Sequence, residues 1–183
     1  MKKKASGDAL VVFPTDLGWM AVVGRGTAVR RLVFGYATPD EAVAALDEVD
    51  LAATRVSRWH PQLVARLRAY ARRGGEDFRD VKVELGPRTL FQRRVIAACR
   101  RIKCGSTSTY ALLAAAAGSP GAARAAGSVM ATNKISLIVP CHRVLGARGR
   151  LGGYSHPLGL DIKTRLLKLE AASGARGSGR KAR

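Results

Sequence analysis

Three short runs of apolar, β-branched and aromatic residues open the chain, at positions 9–13, 19–23 and 29–34. Pro14-Thr15-Asp16 separates the first two and Gly24-Arg25-Gly26 the second two, a pattern that predicts three strands in a meander. The period then changes. Residues 39–49 read as a helix, with Thr38 as N-cap, Pro39 at the first position, and Asp40 and Glu41 in the first turn. Pro61 to Arg73 reads as a second helix, stopped by Gly74-Gly75, and 81–85 as one more strand. Residues 1–85 are therefore expected to form an α/β domain, with a boundary near Gly86-Pro87.

Beyond that boundary the pattern is mainly helical. Thr89 with Gln92 three residues later is a capping box, and Phe91, Val95, Cys99 and Ile102 behind it share one helix face. A second helix is expected over 108–117, ending at Gly118. Ser119 as N-cap and Pro120 at the first position would then begin a third. Two helices so closely joined predict a helix-turn-helix inside a domain of residues 86–172. The third helix runs Gly121, Ala122, Ala123, Arg124, Ala125, Ala126, Gly127, with few large or polar side chains. It suits either tight internal packing or close docking against a nucleic-acid groove. Residues 135–139 read as a short strand ended by Pro140. Residues 173–183 contain only Gly, Ser, Ala and basic residues and are expected to form a disordered basic tail.

Charge decides between some of these options. The chain carries 32 Lys and Arg against 13 Asp and Glu, a net charge of +19 over 183 residues. Such a surface attracts polyanions, and nucleic acid is the leading partner. No apolar run approaches the ~20 residues of a membrane-spanning helix. The stretch after Lys2-Lys3-Lys4 is broken by Pro14 and Asp16, too early for the ~7–15 residues of a signal-peptide core. With 47% hydrophobic residues the chain is expected to be globular, and it reads as a cytoplasmic protein with no membrane partner.

The three cysteines, Cys99, Cys104 and Cys141, offer neither an even disulfide framework nor metal-ligand spacing, so no metal and no cofactor is expected. A free cysteine is usually a small buried hydrophobe; Cys99, on an apolar helix face, and Cys104, at a helix end, fit that description. Cys141 differs, because Pro140 fixes the backbone before it and His142 follows it. Arg143 and Lys163 could add positive potential, and a thiol needs a base or a positive field to become thiolate. Cys–His pairs also serve peptidases and acyltransferases, so these residues alone leave the reaction open.

Pro140-Cys141-His142-Arg143-Val144, preceded by Asn133 and followed by Gly152-Gly153-Tyr154, strongly resembles the O6-alkylguanine-DNA alkyltransferase (methylated-DNA–protein-cysteine methyltransferase) family. The resemblance runs from about Thr89 to Glu170 and includes Phe91-Gln92, Tyr110, Arg124-Ala125-Ala126-Gly127 and Leu166-Leu167. It implies a ribonuclease-H-like α/β domain ahead of the active-site domain. It also implies a monomer that repairs double-stranded DNA carrying alkylated bases, moving the alkyl group irreversibly to Cys141, one turnover per molecule. O6-alkylguanine would be the substrate, with O4-alkylthymine a further one to test. His142 would act as base through a water, oriented by Glu170, and Asn133 would brace the turn. Tyr110 would contact the flipped base and its phosphate. Arg124 would fill the vacated stack, on a helix whose Ala122, Ala123 and Gly127 approach the DNA. Val144, Ser155, Tyr154 and Lys163 would form the substrate pocket.

The chain departs from the family pattern at three places. Ile96 stands where the family usually has Trp, Lys134-Ile135-Ser136 where it has Pro-x-Pro, and His156-Pro157-Leu158 where it has Gly-Gly-Leu. Three rival readings differ in what they explain. A non-catalytic relative of the family lacks the cysteine. A helix-turn-helix regulator leaves Pro-Cys-His-Arg without purpose. A cysteine hydrolase leaves the +19 unexplained.

Overall fold

A computed structural model describes residues 7–178 of the chain. The chain divides into two compact units. One runs to Arg72 and takes in Asp80–Leu85; the other comprises Arg73–Arg79 and everything from Gly86 onward. The segment Arg73–Arg79, expected within the first domain, therefore belongs with the second.

In the first unit, β1 (Ala9–Thr15), β2 (Gly18–Arg25) and β3 (Ala28–Tyr36) form the antiparallel meander, with Phe13 opposite Met20 and Val22 opposite Leu32. Two-residue edge strands complete the sheet. β4 (Thr54–Arg55) runs parallel to β1 and β5 (Lys82–Val83) parallel to β3, giving the order β4-β1-β2-β3-β5. Alternation buries Leu10, Ala21 and Val23 on one face with Ala42 and Leu46. The helix expected over 39–49 is two. α1 (Pro39–Ala44) is capped by Thr38, whose hydroxyl accepts the Glu41 N–H; α2 (Glu48–Leu51) is capped by Asp47, which accepts the Asp50 N–H. Asp47 takes an extended backbone to cap, and that stops the first helix before it reaches Val49. α3 (Pro61–Arg73) buries Leu63, Leu67, Tyr70 and Ala71 at helical spacing.

In the second unit, α4 (Leu90–Arg100) begins with the reciprocal Thr89–Gln92 capping box. α5 (Tyr110–Ala116) is capped by Thr109, and α6 (Ala123–Ala131) follows after a short turn. Ser119 does not cap α6. Gly118 and Gly121 both adopt left-handed backbone (φ 82° and 90°), so the helix starts only at Ala123, behind an N-cap Ala122 that has no side chain to offer. β6 (Ser108–Thr109) pairs in parallel with β7 (Val144–Leu145).

The strand expected over 135–139 is an irregular turn. Leu137 has φ 70°, Ile138 N–H reaches the Ser136 carbonyl, and only an isolated bridge joins Ser136 to Val139. The tail expected from 173 is likewise corrected over its first residues. α7 (Gly159–Ser178) continues through them, Ser173 Oγ donating to the Glu170 carbonyl, because no proline interrupts the helix before it ends. Residues 179–183 lie outside the described part. Among the described residues no helix is long and apolar enough to cross a membrane.

Candidate active site

The site is built on one turn. After Pro140, Cys141–Arg143 form a single 3-10 turn, entered by a hydrogen bond from Cys141 N–H to the Val139 carbonyl (2.8 Å) and closed by one from Arg143 N–H to the Pro140 carbonyl (2.9 Å). Asn133 holds this turn from behind. Its Nδ2 donates to the Val139 carbonyl (2.9 Å) and to Cys141 Sγ (3.1 Å), while its Oδ1 accepts the Ile135 N–H (3.0 Å). An amide that cannot ionise thus fixes the sulfur and gives it a hydrogen-bond donor.

The two residues after the cysteine point the other way, into the protein. His142, Arg143 and Glu170 are fully buried. His142 engages Glu170 Oε1 through Nε2 at 2.9 Å and so presents Nδ1 on the opposite edge of its ring. Arg143 meets the same carboxylate with Nε (2.9 Å to Oε2) and Nη2 (2.9 Å to Oε1), and Gly105 N–H adds a further bond to Oε2 (3.1 Å). Burial by itself raises the Glu170 carboxyl. The His142 and Arg143 hydrogen bonds and charges outweigh it and hold Glu170 far below the usual carboxylate range. Burial lowers His142, against the pull of Glu170, so the resting pair is a neutral imidazole on a carboxylate.

Cys141, only 7% exposed, sits at the base of a cleft of about 700 Å³, within the roughly 300–1,000 Å³ of ordinary ligand sites. Tyr110 at the start of α5, Ala123, Arg124, Gly127 and Met130 on α6, and Tyr154 and Ser155 from the loop before α7 line it. The Tyr110 ring packs beside two glycines, at distances where an added Cβ would make ordinary contact. A Cβ added at Gly127 would stand 3.8 Å from it, and one at Gly152, itself at φ 65°, 3.4 Å. The loop is anchored by Lys163. Its fully buried ammonium donates to the carbonyls of Val144 (2.7 Å) and Leu151 and lies 6.0 Å from the centre of the Tyr154 ring.

Electrostatics at the sulfur are opposed. Burial pushes the Cys141 thiol up; the Asn133 N–H and the Lys163 charge pull it down without prevailing. The resting group is a thiol that needs a base. Burial and the neighbouring Cys141 also raise Tyr110 and, more strongly, Tyr154. The Tyr154 hydroxyl lies near Cys141 and Ser136 but meets hydrogen-bond geometry with neither.

The structure thus brings together Cys141, Tyr110, Arg124, Ala123, Gly127, Tyr154 and Ser155 around one cleft, with Asn133, His142, Glu170 and Lys163 behind it. Ala122 stands just ahead of α6 and does not line the cleft, and Val144 is buried with its carbonyl bonded to Lys163. Arg143, expected to add positive potential to the thiol, instead has its charge matched by Glu170 and Asp77, and Lys163 is the cation that acts on Cys141. Sequence reasoning missed Asp77, on which Arg143 Nη1 rests at 3.0 Å; nothing around it in the sequence marks it. Cys99 is buried and raised well above its ordinary value by burial, whereas Cys104 is half-buried. Among the described residues no group of three or more His, Cys, Asp or Glu could hold a metal ion.

The profile described as 6-O-methylguanine DNA methyltransferase, DNA binding domain, matches residues 90–172. The methylated-DNA–protein-cysteine methyltransferase of Methanosarcina acetivorans is 46% identical over 97 residues, 52% of this chain and 61% of that protein. The chain spans little more than half the length of the curated relatives it matches. The crystal structure of Mycobacterium tuberculosis O6-methylguanine methyltransferase is 32% identical, with a TM-score of 0.77, covering 91% of this chain and 94% of that one. The structure of the same organism's OGT in complex with DNA is also 32% identical, with a TM-score of 0.73 over 90% and 94%. Since the likeness extends through almost all of both chains, and the matched profile includes the Pro140–Val144 pentapeptide, the chain belongs to the O6-alkylguanine-DNA alkyltransferase (methylated-DNA–protein-cysteine methyltransferase) family.

Proposed function

We propose that this protein removes the alkyl group from O6-alkylguanine in duplex DNA by transferring it to its own Cys141, once per molecule. One observation carries the reading: a thiol at the base of a purine-sized cleft, backed by the buried His142–Glu170 pair and rimmed by Tyr110 and Arg124.

A stacked base keeps its O6-alkyl carbon out of line with any protein sulfur, so the nucleotide must be extruded, at a cost of a few kcal/mol. α5 and α6 act as the helix-turn-helix that meets the DNA, and the small residues Ala122, Ala123 and Gly127 permit close approach. Arg124 occupies the vacated stack. His142 takes the Cys141 proton through a bridging water, and the imidazolium so formed is stabilised by Glu170. The thiolate attacks the alkyl carbon, a C–S bond forms, the C–O6 bond breaks, and its electron pair goes to the guanine. Tyr110 donates a proton to the leaving base and is reprotonated through solvent as the imidazolium gives up the proton taken from Cys141, so the thiol proton ends on the guanine. The main chain of Cys141, Val144 and Ser155 reads the guanine edges, and Lys163 and Tyr154 hold the loop that closes on it. The thioether has no carbonyl for water to attack, so the thiol is not regenerated.

In this reading the first unit is a ribonuclease-H-like domain and the protein works as a monomer in the cytoplasm. The basic composition supports DNA as the partner. Intact mass after incubation with excess O6-methylguanine duplex tests the proposal. The expected result is a single methyl per chain, absent in Cys141→Ala; repeated turnover, or binding with no mass change, overturns it.

A further inference from the structure

Arg143 has five N–H groups, and all five are bonded. Nε and one Nη2 hydrogen go to Glu170, the other Nη2 hydrogen to the Glu76 carbonyl (3.0 Å), and Nη1 to the Ile102 carbonyl (2.7 Å) and Asp77 Oδ1 (3.0 Å). Its charge is thus divided between two carboxylates, Glu170 from α7 and Asp77 from the segment Arg73–Arg79.

That segment is rigidly held. Gly74 (φ 65°) lies so close to α7 that an added Cβ would stand 2.9 Å from the Leu169 carbonyl oxygen. Phe78 is fully buried at φ 51°, a costly conformation for a residue with a side chain. Arg100 grips the Phe78 and Arg79 carbonyls (3.2 and 3.0 Å), and Glu76 Oε1 accepts the N–H groups of Asp77 and Phe78. Asp77 Oδ1 also takes the Cys104 N–H (2.5 Å). The carboxylate is delivered in one place.

We infer that Asp77 is a positioning residue for alkyl transfer: by matching part of the Arg143 charge, it leaves Glu170 free to hold His142 and to stabilise the imidazolium. The inference rests on the proposed transfer to Cys141 and on His142 as its base. Without the Asp77 charge, Arg143 faces a single carboxylate, and its field at His142 becomes more positive. The other groups facing this network are Glu170 and Lys163 on α7, Arg79 beside Asp77, Cys99 and Arg100 on α4, Cys104, and Cys141 in the turn itself. Among them Lys163 and Arg143 already oppose protonation of His142, and Glu170 favours it. The balance at the imidazole therefore depends on how fully Arg143 is neutralised.

Asp77→Asn keeps an oxygen acceptor for the Cys104 N–H while removing the charge, and gives up the exposed Oδ2 contact with Arg79. Single-turnover methyl transfer from O6-methylguanine duplex is measured from pH 6 to 9.5, together with the NMR titration of the His142 ring. Expected in Asp77→Asn are a rate about tenfold below wild type at pH 7, a deficit that narrows as pH rises and the thiol ionises without help, and a His142 titration lowered by about one unit. DNA affinity is unchanged, and Asp77→Glu restores the wild-type profile. Asp77→Ser carries the same measurement should the Asn variant not fold. A wild-type profile, or a loss uniform across pH, overturns the inference. If the wild type transfers nothing, the repair reading falls and the role in transfer with it, while the hold of Asp77 on the His142 imidazole is still decided by whether the His142 titration drops.

Discussion

Nε2 of His142 lies 2.9 Å from Oε1 of Glu170, and both side chains are sealed from solvent. Because Glu170 also carries the Arg143 guanidinium, it is an anion throughout the working pH range, and the imidazole beside it is neutral and ready to accept a proton. His142→Gln is expected to slow transfer about 10²–10⁴-fold, the usual share of general acid–base catalysis, while leaving DNA affinity intact. Single-turnover kinetics beside a binding titration check this.

Glu170→Gln should cost stability as well as rate. It leaves Arg143 as a buried cation with one carboxylate fewer, and breaking such a pair typically costs about 3–5 kcal/mol. Denaturant unfolding at neutral pH is the measurement. A stability equal to wild type would count against the network described here.

The same pair sets the acid side of the stability curve. Glu170 is depressed in the folded protein, so its contribution is present above the unfolded value of about 4.3 and is lost as pH falls below it. His142 is also lowered. The unfolded chain therefore takes up its proton first, below about pH 6.5, and unfolding is favoured from there downward. On the alkaline side Cys99 and Cys141 are raised, so their contribution is complete below about pH 8.5 and declines above it. Melting temperature should be highest near neutrality, and His142→Gln should flatten the fall between pH 7 and 5.

Arg124 faces the cleft from α6, beside Ala123 and Gly127. If it takes the place of an extruded base, Arg124→Ala should slow transfer from duplex DNA much more than from a free O6-alkylguanine base, which needs no extrusion. The ratio of the two rates is the readout; equal losses on both substrates would contradict the role.

Lys163 joins the carbonyls of Val144 and Leu151 across the base of the loop that precedes α7. Lys163→Met preserves the stem but leaves two buried carbonyls without that donor, at about 1–3 kcal/mol each. Lower thermal stability and a slower reaction with large adducts than with methyl are expected, checked by melting curves and by competition between methyl and benzyl substrates.

Much of the fold was legible where local chemistry is strong. The first three strands fall on the apolar runs, although Pro14 lies inside β1 and Gly24 and Arg25 inside β2, so that only Asp16-Leu17 and Gly26-Thr27 make the turns; the Thr38 and Thr89 caps begin their helices as read. It failed where a backbone is held from outside its own segment. Residues 135–139 look like a strand, yet Asn133 and the left-handed Leu137 curl them into a turn. Ser119 looks like a cap, yet Gly121 delays the helix. The cysteine pentapeptide announced the family and pointed to the candidate site. The partners of its arginine did not show, because Asp77 and the Glu76 carbonyl lie 66 and 67 residues away and belong to no pattern.

The carboxylate that holds His142 comes from α7, 28 residues later in the chain. A ribosome therefore makes the Cys141 turn before it makes the carboxylate that holds His142. If Cys141 acts only once, as proposed, docking of α7 has a second consequence: a sulfur that is an ordinary exposed thiol on the growing chain becomes buried and less ionised in the finished protein, where stray electrophiles reach it least.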